Sequence, residues 1–472
     1  VLQEVPAGTY NVYAGKDSNH KTTLVDSGVD VVVTSTPNAT INYYTLTIGL
    51  SNTTVKVNGT SVANNNTVNV LGGTGTVGSN YAHQIVATAN TGYTFSSWTK
   101  NSGTVTIGNT STASTTAKVG AASKITASST ANTYTIAYEL DGGTLGTNAP
   151  TSGTYNTAIH IDNPSKTGYT FAGWTSSTTD ELHTSTAKRG TTTSPNTAWD
   201  GTATTNTYFK NLTAVAGGTV TLTANWTANI YTITLDNGSA TTNGTTAVYE
   251  KYADGVYLNN SNGTLSNKMT TSANKITVPQ RKYTVTYNAN TGEVATPSQT
   301  ATYTFKGYYD GTTQMIGADG FIKSAFTNTK YTSNKTLNAD WTAGKVTTPV
   351  PTKTGYTFVG WFDSQTGGNK IADGNTDYTP TADKTLWAHW IPNTDIPYVV
   401  KHWQLKVAGT EGTHNTTNYD LKDTENLTGT ADNEVTPAFK SYTGFTPEGT
   451  VQTVTIAADG STVVNYYYRR KI

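Results

Sequence analysis

Three short aromatic motifs recur along the chain, and this repetition constrains the fold more than any single residue does. A middle motif of the form Gly-Tyr-Thr-Phe-x-x-Trp occurs at 92–98, 168–174 and 355–361, with a degenerate copy at 302–308. A closing motif of the form Leu-x-Ala-x-Trp occurs at 222–226, 337–341 and 386–390, with a version lacking Trp at 125–129. An opening motif that begins with Tyr-Thr occurs at 44–48, 134–138, 231–235 and 283–287. Because each repeat must be one structural unit, the pattern predicts a string of small modules.

The three motifs alternate large and small or polar residues with a period of two, which is the pattern of β-strands. Helical periodicity is scarce, so the sequence predicts a mainly β chain with little helix. Because the large residues of each motif share one face of their strand, we expect them to form the core of each module. The predicted core aromatics are Trp98, Trp174, Trp226, Trp341, Trp361, Trp390, Phe95, Phe171, Phe305 and Phe358.

The spacing of the motifs predicts the domain boundaries. We expect a partial β-sandwich-like module at 1–43, module 1 at 44–133, module 2 at 134–229, module 3 at 230–344, a short module 4 at 345–393 and a last module at 394–472. Module 2 carries an insertion near 177–216. Module 3 is interrupted by a second opening motif, so 283–301 is interpreted as an inserted strand or hairpin. A separate short unit that starts at residue 283 is the alternative.

At these motifs the sequence resembles the Listeria–Bacteroides repeats, also called internalin B-repeats, over residues 44–391. The resemblance implies β-grasp-like modules, each with one sheet wrapped over a short helix, arranged end to end in a secreted or wall-attached bacterial protein. Residues 394–472 resemble mucin-binding-protein-like (MucBP) repeats. Ser129 stands where the closing Trp is expected in module 1, and Tyr308 replaces the middle Trp in module 3.

Composition excludes several functional classes. The chain has 30 basic and 30 acidic residues among 472, so it offers no net positive charge for nucleic acid or an anionic membrane. It has no Cys, which excludes disulfides, thiolate metal sites and cysteine nucleophiles. No apolar stretch is long enough for a membrane helix. The first residues lack Met and a signal core, and no sortase-type signal precedes Ile472, so we expect a processed chain or a fragment without its anchor.

Two segments with the residue types of a binding site have simpler interpretations. The stretch 73–78 matches the dinucleotide pattern Gly-x-Gly-x-x-Gly, but no helix signal follows it and no acidic residue stands about twenty positions on. It is interpreted as a glycine-rich loop. Asp180, Glu181, His183 and Asp200 in the insertion of module 2 are candidate metal ligands, although acidic loops are usually only solvated. The sequence therefore predicts no cofactor and no metal.

Lys401 and Asn465 lie within the first and last strands predicted for the last module, each flanked by apolar residues. This placement resembles surface modules in which Lys and Asn form an intramolecular isopeptide bond. That chemistry needs a neutral Lys and a protonated acid, for which Glu434 and Asp420 are the candidates. The alternative is that the Lys extends its ammonium to water and the Asn bonds to backbone.

No catalytic constellation is found, so the sequence predicts a non-catalytic protein of the bacterial cell surface or cell wall. We expect it to act as a mechanically resistant stalk or spacer. The resemblance implies that the opening and closing strands of a module lie side by side, where tension would shear many hydrogen bonds together. Two alternatives remain open: a carbohydrate- or mucin-binding module that recognises host or neighbouring-cell glycans or glycoproteins, and a subunit that assembles with its own copies into a surface fibre.

Overall fold

A computed structural model describes residues 42–72, 81–177 and 208–472, together with short strands within the first 33 residues and at 189–190. It confirms a mainly β chain built from small sheets in tandem. The chain divides into two compact units, Val1–Asn229 and Ile230–Ile472, and each is described by itself.

The first unit begins with two antiparallel ribbons, in which β1 pairs with β4 and β2 pairs with β3. These strands are β1 (Gly8–Tyr10), β2 (Tyr13–Ala14), β3 (Thr23–Leu24) and β4 (Val31–Val33). They fall in the segment predicted as a partial sandwich.

Module 1 consists of two sheets that share one core. The strands are β5 (Asn42–Ser51), β6 (Thr53–Val57), β7 (Thr60–Val62), β8 (Asn66–Gly72), β9 (His83–Ala89), β10 (Tyr93–Ser102), β11 (Val105–Ile107), β12 (Ser114–Val119) and β13 (Ser123–Ala131). The sheet orders are β10-β13-β5-β8 and β11-β12-β9-β6-β7. Strand β6 shows why the two sheets pack together, since Val55 and Val57 are buried while Thr54 and Lys56 face outward.

Module 2 has a four-stranded sheet in the order β15-β14-β20-β17 and a small sheet in the order β16-β19-β18. The strands are β14 (Thr133–Glu139), β15 (Ser152–Thr154), β16 (Ile159–His160), β17 (Tyr169–Ser176), β18 (Arg189–Gly190), β19 (Tyr208–Phe209) and β20 (Thr219–Ala228). Ile136, Trp174 and Leu222 from three strands of the larger sheet meet in its core.

The second unit contains modules 3 and 4 in one continuous sheet. Its path runs β24-β23-β22-β21-β28-β26-β25-β33-β30-β31, and β27 pairs with β26. The elements of module 3 and of the hairpin within it are β21 (Ile230–Asp236), β22 (Ala247–Lys251), β23 (Gly255–Ser261), β24 (Thr264–Lys268), β25 (Arg281–Asn288), β26 (Ser298–Asp310), β27 (Thr313–Gly317), α1 (Ser324–Asn328) and β28 (Lys335–Thr342). Those of module 4 are β29 (Val346–Thr347), β30 (Tyr356–Phe362), β31 (Lys370–Ala372), β32 (Asp377–Tyr378) and β33 (Lys384–Pro392).

Strand β25 links module 3 to module 4 within one sheet. Strand β25 pairs in parallel with β33, so it opens the sheet of module 4 although it lies within the sequence of module 3. The long strand β26 pairs with β25 through its first half and with β28 through its second half. Segment 281–303 is thus a hairpin inserted into module 3 whose strands complete module 4. The boundary predicted at residue 344 separates segments that share one sheet.

The last module has a four-stranded sheet in the order β35-β34-β39-β37 and a two-stranded ribbon of β36 and β38. The strands are β34 (Ile396–Leu405), β35 (Tyr419–Gly429), β36 (Glu434–Val435), β37 (Phe445–Pro447), β38 (Val454–Thr455) and β39 (Val463–Arg470). Among the described residues α1 is the only helix, so the short helix that the resemblance implies for each module is found in module 3 alone.

Candidate load-bearing site

The opening and closing strands lie side by side and parallel in every one of the five larger modules. The parallel pairs are β5 with β13, β14 with β20, β21 with β28, β25 with β33, and β34 with β39. Hydrogen bonds between strands run across the strand direction. When a module is pulled from the start of its opening strand and the end of its closing strand, the two strands are drawn past each other. All the hydrogen bonds between them are then loaded together.

The pairs in module 1 and in the last module are the longest of the five, with six registered residues on each strand. Six residues of β34, from Val399 to Gln404, register with Val463 to Tyr468 of β39. The Val399 N–H also donates to the Thr462 carbonyl at 3.0 Å, just ahead of this register. Val400 and Val464 are both fully buried on the core face, so water cannot readily replace the hydrogen bonds that this apolar face covers.

A recurring group of three aromatic rings supports the closing strand. In module 2, Phe171 lies edge-on to Trp174 and to Trp226, with ring centroids 5.1 and 5.6 Å apart. Module 4 repeats the arrangement with Phe358, Trp361 and Trp390 at 5.4 and 5.6 Å. Module 3 repeats it with Phe305, Tyr308 and Trp341 at 5.2 and 5.3 Å. Edge-to-face contacts at such distances stabilise beyond simple burial.

The middle and closing Trp residues are buried to different extents. Trp98, Trp174 and Trp361 are at most 2% exposed, whereas Trp226, Trp341 and Trp390 are half-buried and pack against the core from its edge. The indole N–H of Trp226 donates to Leu140 O and that of Trp390 to Ala289 O, both at 2.9 Å. In modules 2 and 4 the closing Trp therefore also anchors the chain that follows the opening strand, whereas the buried indole N–H of Trp341 in module 3 makes no such bond to the described residues.

The two departures from the motif have different outcomes. Tyr308 is fully buried, takes the place of the middle Trp and donates its hydroxyl to Asn237 Oδ1, while burial raises the pKa of that hydroxyl. In module 1, Phe95 contacts Trp98 at 5.9 Å, but Ser129 replaces the third ring. Module 1 therefore depends more on the aliphatic side chains of its second sheet.

A buried polar network braces the last module, and the sequence motifs gave no indication of it. His402 is fully buried on the core face of β34; its Nδ1 lies 2.8 Å from the Tyr468 hydroxyl and its Nε2 lies 2.9 Å from Glu425 Oε2. Lys440 contacts Glu425 at 3.3 Å and Asp423 at 2.6 Å. The hydrogen bond from His402 lowers the pKa of Glu425. The alternation along this strand, in which Val400 and His402 share one face, is the sequence pattern that indicates a buried imidazole, although it does not indicate its partners.

Lys401 and Asn465 occupy registered positions on β34 and β39. Both lie on the half-exposed outer face of the sheet, because the neighbouring positions on each strand point into the core. Asn465 Oδ1 accepts from the Trp403 indole at 2.9 Å. Asp420 contacts Lys406 at 3.5 Å, and Glu434 is exposed on the separate ribbon β36. The structure thus places the two residues of the predicted cross-link on adjacent strands, but it gives both candidate acids other surroundings.

Two predicted segments lie outside the described residues: the glycine-rich stretch 73–78, and the insertion positions Asp180, Glu181, His183 and Asp200. Among the residues that are described, no group of three or more His, Asp or Glu side chains is arranged to hold a metal ion. The described part of the chain also has no helix with the length and apolarity needed to cross a membrane.

Comparison with known proteins agrees with the repeat architecture. Residues 134–198 and 325–389 match the Listeria–Bacteroides repeat domain. Over 116 residues the chain is 37% identical to Internalin H of Listeria monocytogenes, a match that covers 20% of this chain and 21% of that protein. The chain thus spans about a fifth of the length of this relative.

Among solved structures, the Bacillus anthracis TIE protein aligns over 93% of this chain and 76% of its own, at 8% identity and a TM-score of 0.15. A score this low establishes no common fold. The family and internalin matches together support a bacterial surface repeat protein that contains Listeria–Bacteroides repeats.

Proposed function

We propose that this chain is a load-bearing stalk or spacer of an extracellular bacterial surface protein. The observation that carries the proposal is the parallel pairing of opening and closing strands in all five larger modules. When such a module is pulled from the start of its opening strand and the end of its closing strand, the whole ladder between them is placed in shear. Only 13% of the residues are charged, so uncharged polar side chains such as those of Thr and Asn supply much of the polar surface.

Single-molecule force spectroscopy of the full chain tests the proposal with two variants of the last module. Val399→Pro removes the N–H that bonds to Thr462 O, between the two load-bearing strands. Ile456→Ala removes a fully buried side chain of the same core that lies outside the two load-bearing strands, with a cost of about 2–5 kcal/mol.

Both variants lower thermal stability, but they act on different parts of the module. We expect Val399→Pro to abolish the high-force rupture of the last module, and Ile456→Ala to retain most of it. Equal loss of rupture force in both variants would mean that force resistance follows overall stability and is not carried by the strand pair.

A second candidate function rests on a row of flat rings in the last module, which we propose is a MucBP-like repeat. Trp403 and Tyr467 lie 6.2 Å apart at 17°, and Tyr467 stacks on His414 at 3.8 Å and 8°. Flat rings on a half-exposed sheet face are suited to packing against sugar rings. Titration with a glycan panel and with soluble mucin tests this function: saturable binding that Trp403→Ala abolishes would support recognition, and no binding would leave the spacer as the better account.

A further inference from the structure

In modules 1, 2 and 4, the turn that precedes the middle strand is tied to the residue that follows the closing strand. In module 1 the Asn132 N–H donates to Gly92 O at 2.9 Å, and Thr94 Oγ1 donates to Asn132 Oδ1 at 2.6 Å. Asn229 makes the same two bonds to Gly168 and Thr170, at 2.9 and 2.6 Å. We call this arrangement, in which an Asn bonds to the Gly and Thr of the middle motif, the Asn clip.

The Asn clip of module 1 is hydrogen-bonded directly to module 2. Asn132 is 8% exposed; its carbonyl accepts from the Tyr155 N–H at 2.8 Å, and its Nδ2 donates to Ala214 O at 2.7 Å. The ring of Tyr155 packs edge-on against Tyr93 at 5.6 Å. A Cβ atom at Gly92 would overlap that ring, and Gly92 has φ +80°, so only glycine fits this position.

The clip at the end of module 4 repeats the arrangement with different partners. Asn393 bonds to Gly355 O at 2.8 Å and accepts from Thr357 Oγ1 at 2.6 Å, while its carbonyl accepts from the Ala431 N–H of the last module at 3.0 Å. Gly355, with φ +75°, leaves space for Ala458, which a Cβ atom would overlap.

Tyr356 of the same motif extends into the last module. It donates its hydroxyl to Asp432 and packs against the hydrophobic core of that module.

The junction between modules 3 and 4 lacks the Asn clip. Thr302 and Gly344 stand where the clip would have Gly and Asn, and these two modules are joined instead by the shared strand β26. Tyr303, the Tyr of that motif, still donates its hydroxyl across to Pro380 O of module 4 at 2.8 Å. The motif Tyr therefore contacts the following module in all three of these junctions.

We propose that the Asn clip and the motif Tyr form a coupling site that docks the next module in the chain and fixes its angle. In this site the backbone carbonyl of the Asn accepts from an N–H of the following module, while the Thr hydroxyl holds the Asn side chain. The Gly of the motif leaves space for a ring or a small side chain of that module. Because Thr already orders the Asn side chain, little further ordering is needed on docking. In the stalk proposed above, such junctions would limit bending between modules.

The absence of Cys allows a direct measurement in the full chain. Spin labels at Lys56→Cys in module 1 and Thr147→Cys in module 2, both exposed positions, report the distance across the junction by pulsed electron resonance. We expect a narrow distance distribution in the parent chain and a distribution at least about twice as broad in Asn132→Ala. Asn259→Ala, at an exposed strand position in module 3, is the matched control and should leave the distribution unchanged.

A second label pair within module 1, at Lys56→Cys and Thr106→Cys, verifies that the module stays folded. If Asn132→Ala also broadens the distance distribution within module 1, the junction is measured in the variant Thr94→Val instead. That change removes only the exposed hydroxyl that orders Asn132. A broad junction distribution in the parent chain, or an unchanged one in the variant that keeps module 1 folded, would overturn the proposal. This measurement does not depend on force resistance, so it can fail while the proposed load-bearing role stands.

Discussion

Phe358 lies edge-on to Trp390, with centroids 5.6 Å apart and ring planes at 63°, and Phe171 bears the same relation to Trp226 at 5.6 Å and 66°. Two modules of different length therefore hold the closing strand with one geometry. The insertion that lengthens module 2 leaves this contact unchanged, because it enters between the middle and closing strands.

Substitution of the central Phe should lower the stability of a module more when two aromatic rings contact it than when only one does. Phe358→Ala removes a ring that contacts two Trp residues, and we expect a loss of about 3–5 kcal/mol in module 4. Phe95→Ala in module 1 should cost less, because Ser129 replaces one of the two rings there. Calorimetry of each variant measures both losses, and an equal or larger loss in Phe95→Ala would contradict the role assigned to the closing Trp.

Modules 3 and 4 should unfold in one step, because β26 belongs to the sheets of both. The roughly 160 residues from 230 to 392 would then release on the order of 550 Å of chain in a single rupture. Extension traces of the full chain measure this length. Two shorter releases, one for each predicted module, would show that the shared strand does not couple them.

Glu250 should make module 3 less stable as the pH rises. It is 3% exposed, accepts only long contacts of 3.3 Å from the Tyr331 N–H among the hydrogen bonds described for it, and burial raises its pKa from 4.5 to about 7. The unfolded chain therefore loses this proton at lower pH than the folded one. Stability is highest below about pH 4.5, falls as the pH rises toward 7, and is lower by about 3 kcal/mol above pH 7.

Calorimetry of the full chain at pH 5 and pH 8 checks the effect. Glu250→Gln should remove most of the pH dependence of the transition that contains module 3, whereas Glu293→Gln, at an exposed position, should retain it. The pKa of Asp310, which contacts both Tyr331 and Lys335, is lowered, so its own titration lies below this range. If Glu250→Gln kept the same pH dependence as the parent chain, the assignment to Glu250 would be contradicted.

Lys401 and Asn465 should remain unlinked. Their registered positions place them on adjacent strands, but Asp420 is engaged by Lys406 and Glu434 lies on another ribbon. No acid is therefore assigned to polarise the Asn465 amide. Intact-mass measurement should give the unmodified chain, and loss of one ammonia per chain would show that the bond forms.

Much of the fold could be predicted because the motifs determine which strands exist and which faces they bury. The alternation around Trp174 and Trp361 identifies residues that lie at the centre of their cores. The partner of β25 could not be predicted, because its opening motif is compatible with the closing strand of either module 3 or module 4. The polar network of His402 was missed for a different reason, since Glu425 and Lys440 are brought to it only by tertiary packing.

The roles of Asn132 and Asn393 were also hidden in the sequence. Each stands just after a closing strand, where Asn is common in turns for local reasons. Only the structure shows that each one bonds back to the middle motif of its own module and forward to the next module.

The most direct test of the load-bearing account pulls the last module in two directions. Handles at Asp395→Cys and Lys471→Cys load β34 against β39 in shear, because they lie at opposite ends of the parallel pair. Handles at Asp395→Cys and Thr430→Cys instead peel β34 from β35, whose ends Ile396 and Gly429 are directly paired. We predict a clearly higher rupture force for the first pair of handles, and equal or lower force in that direction would contradict the account.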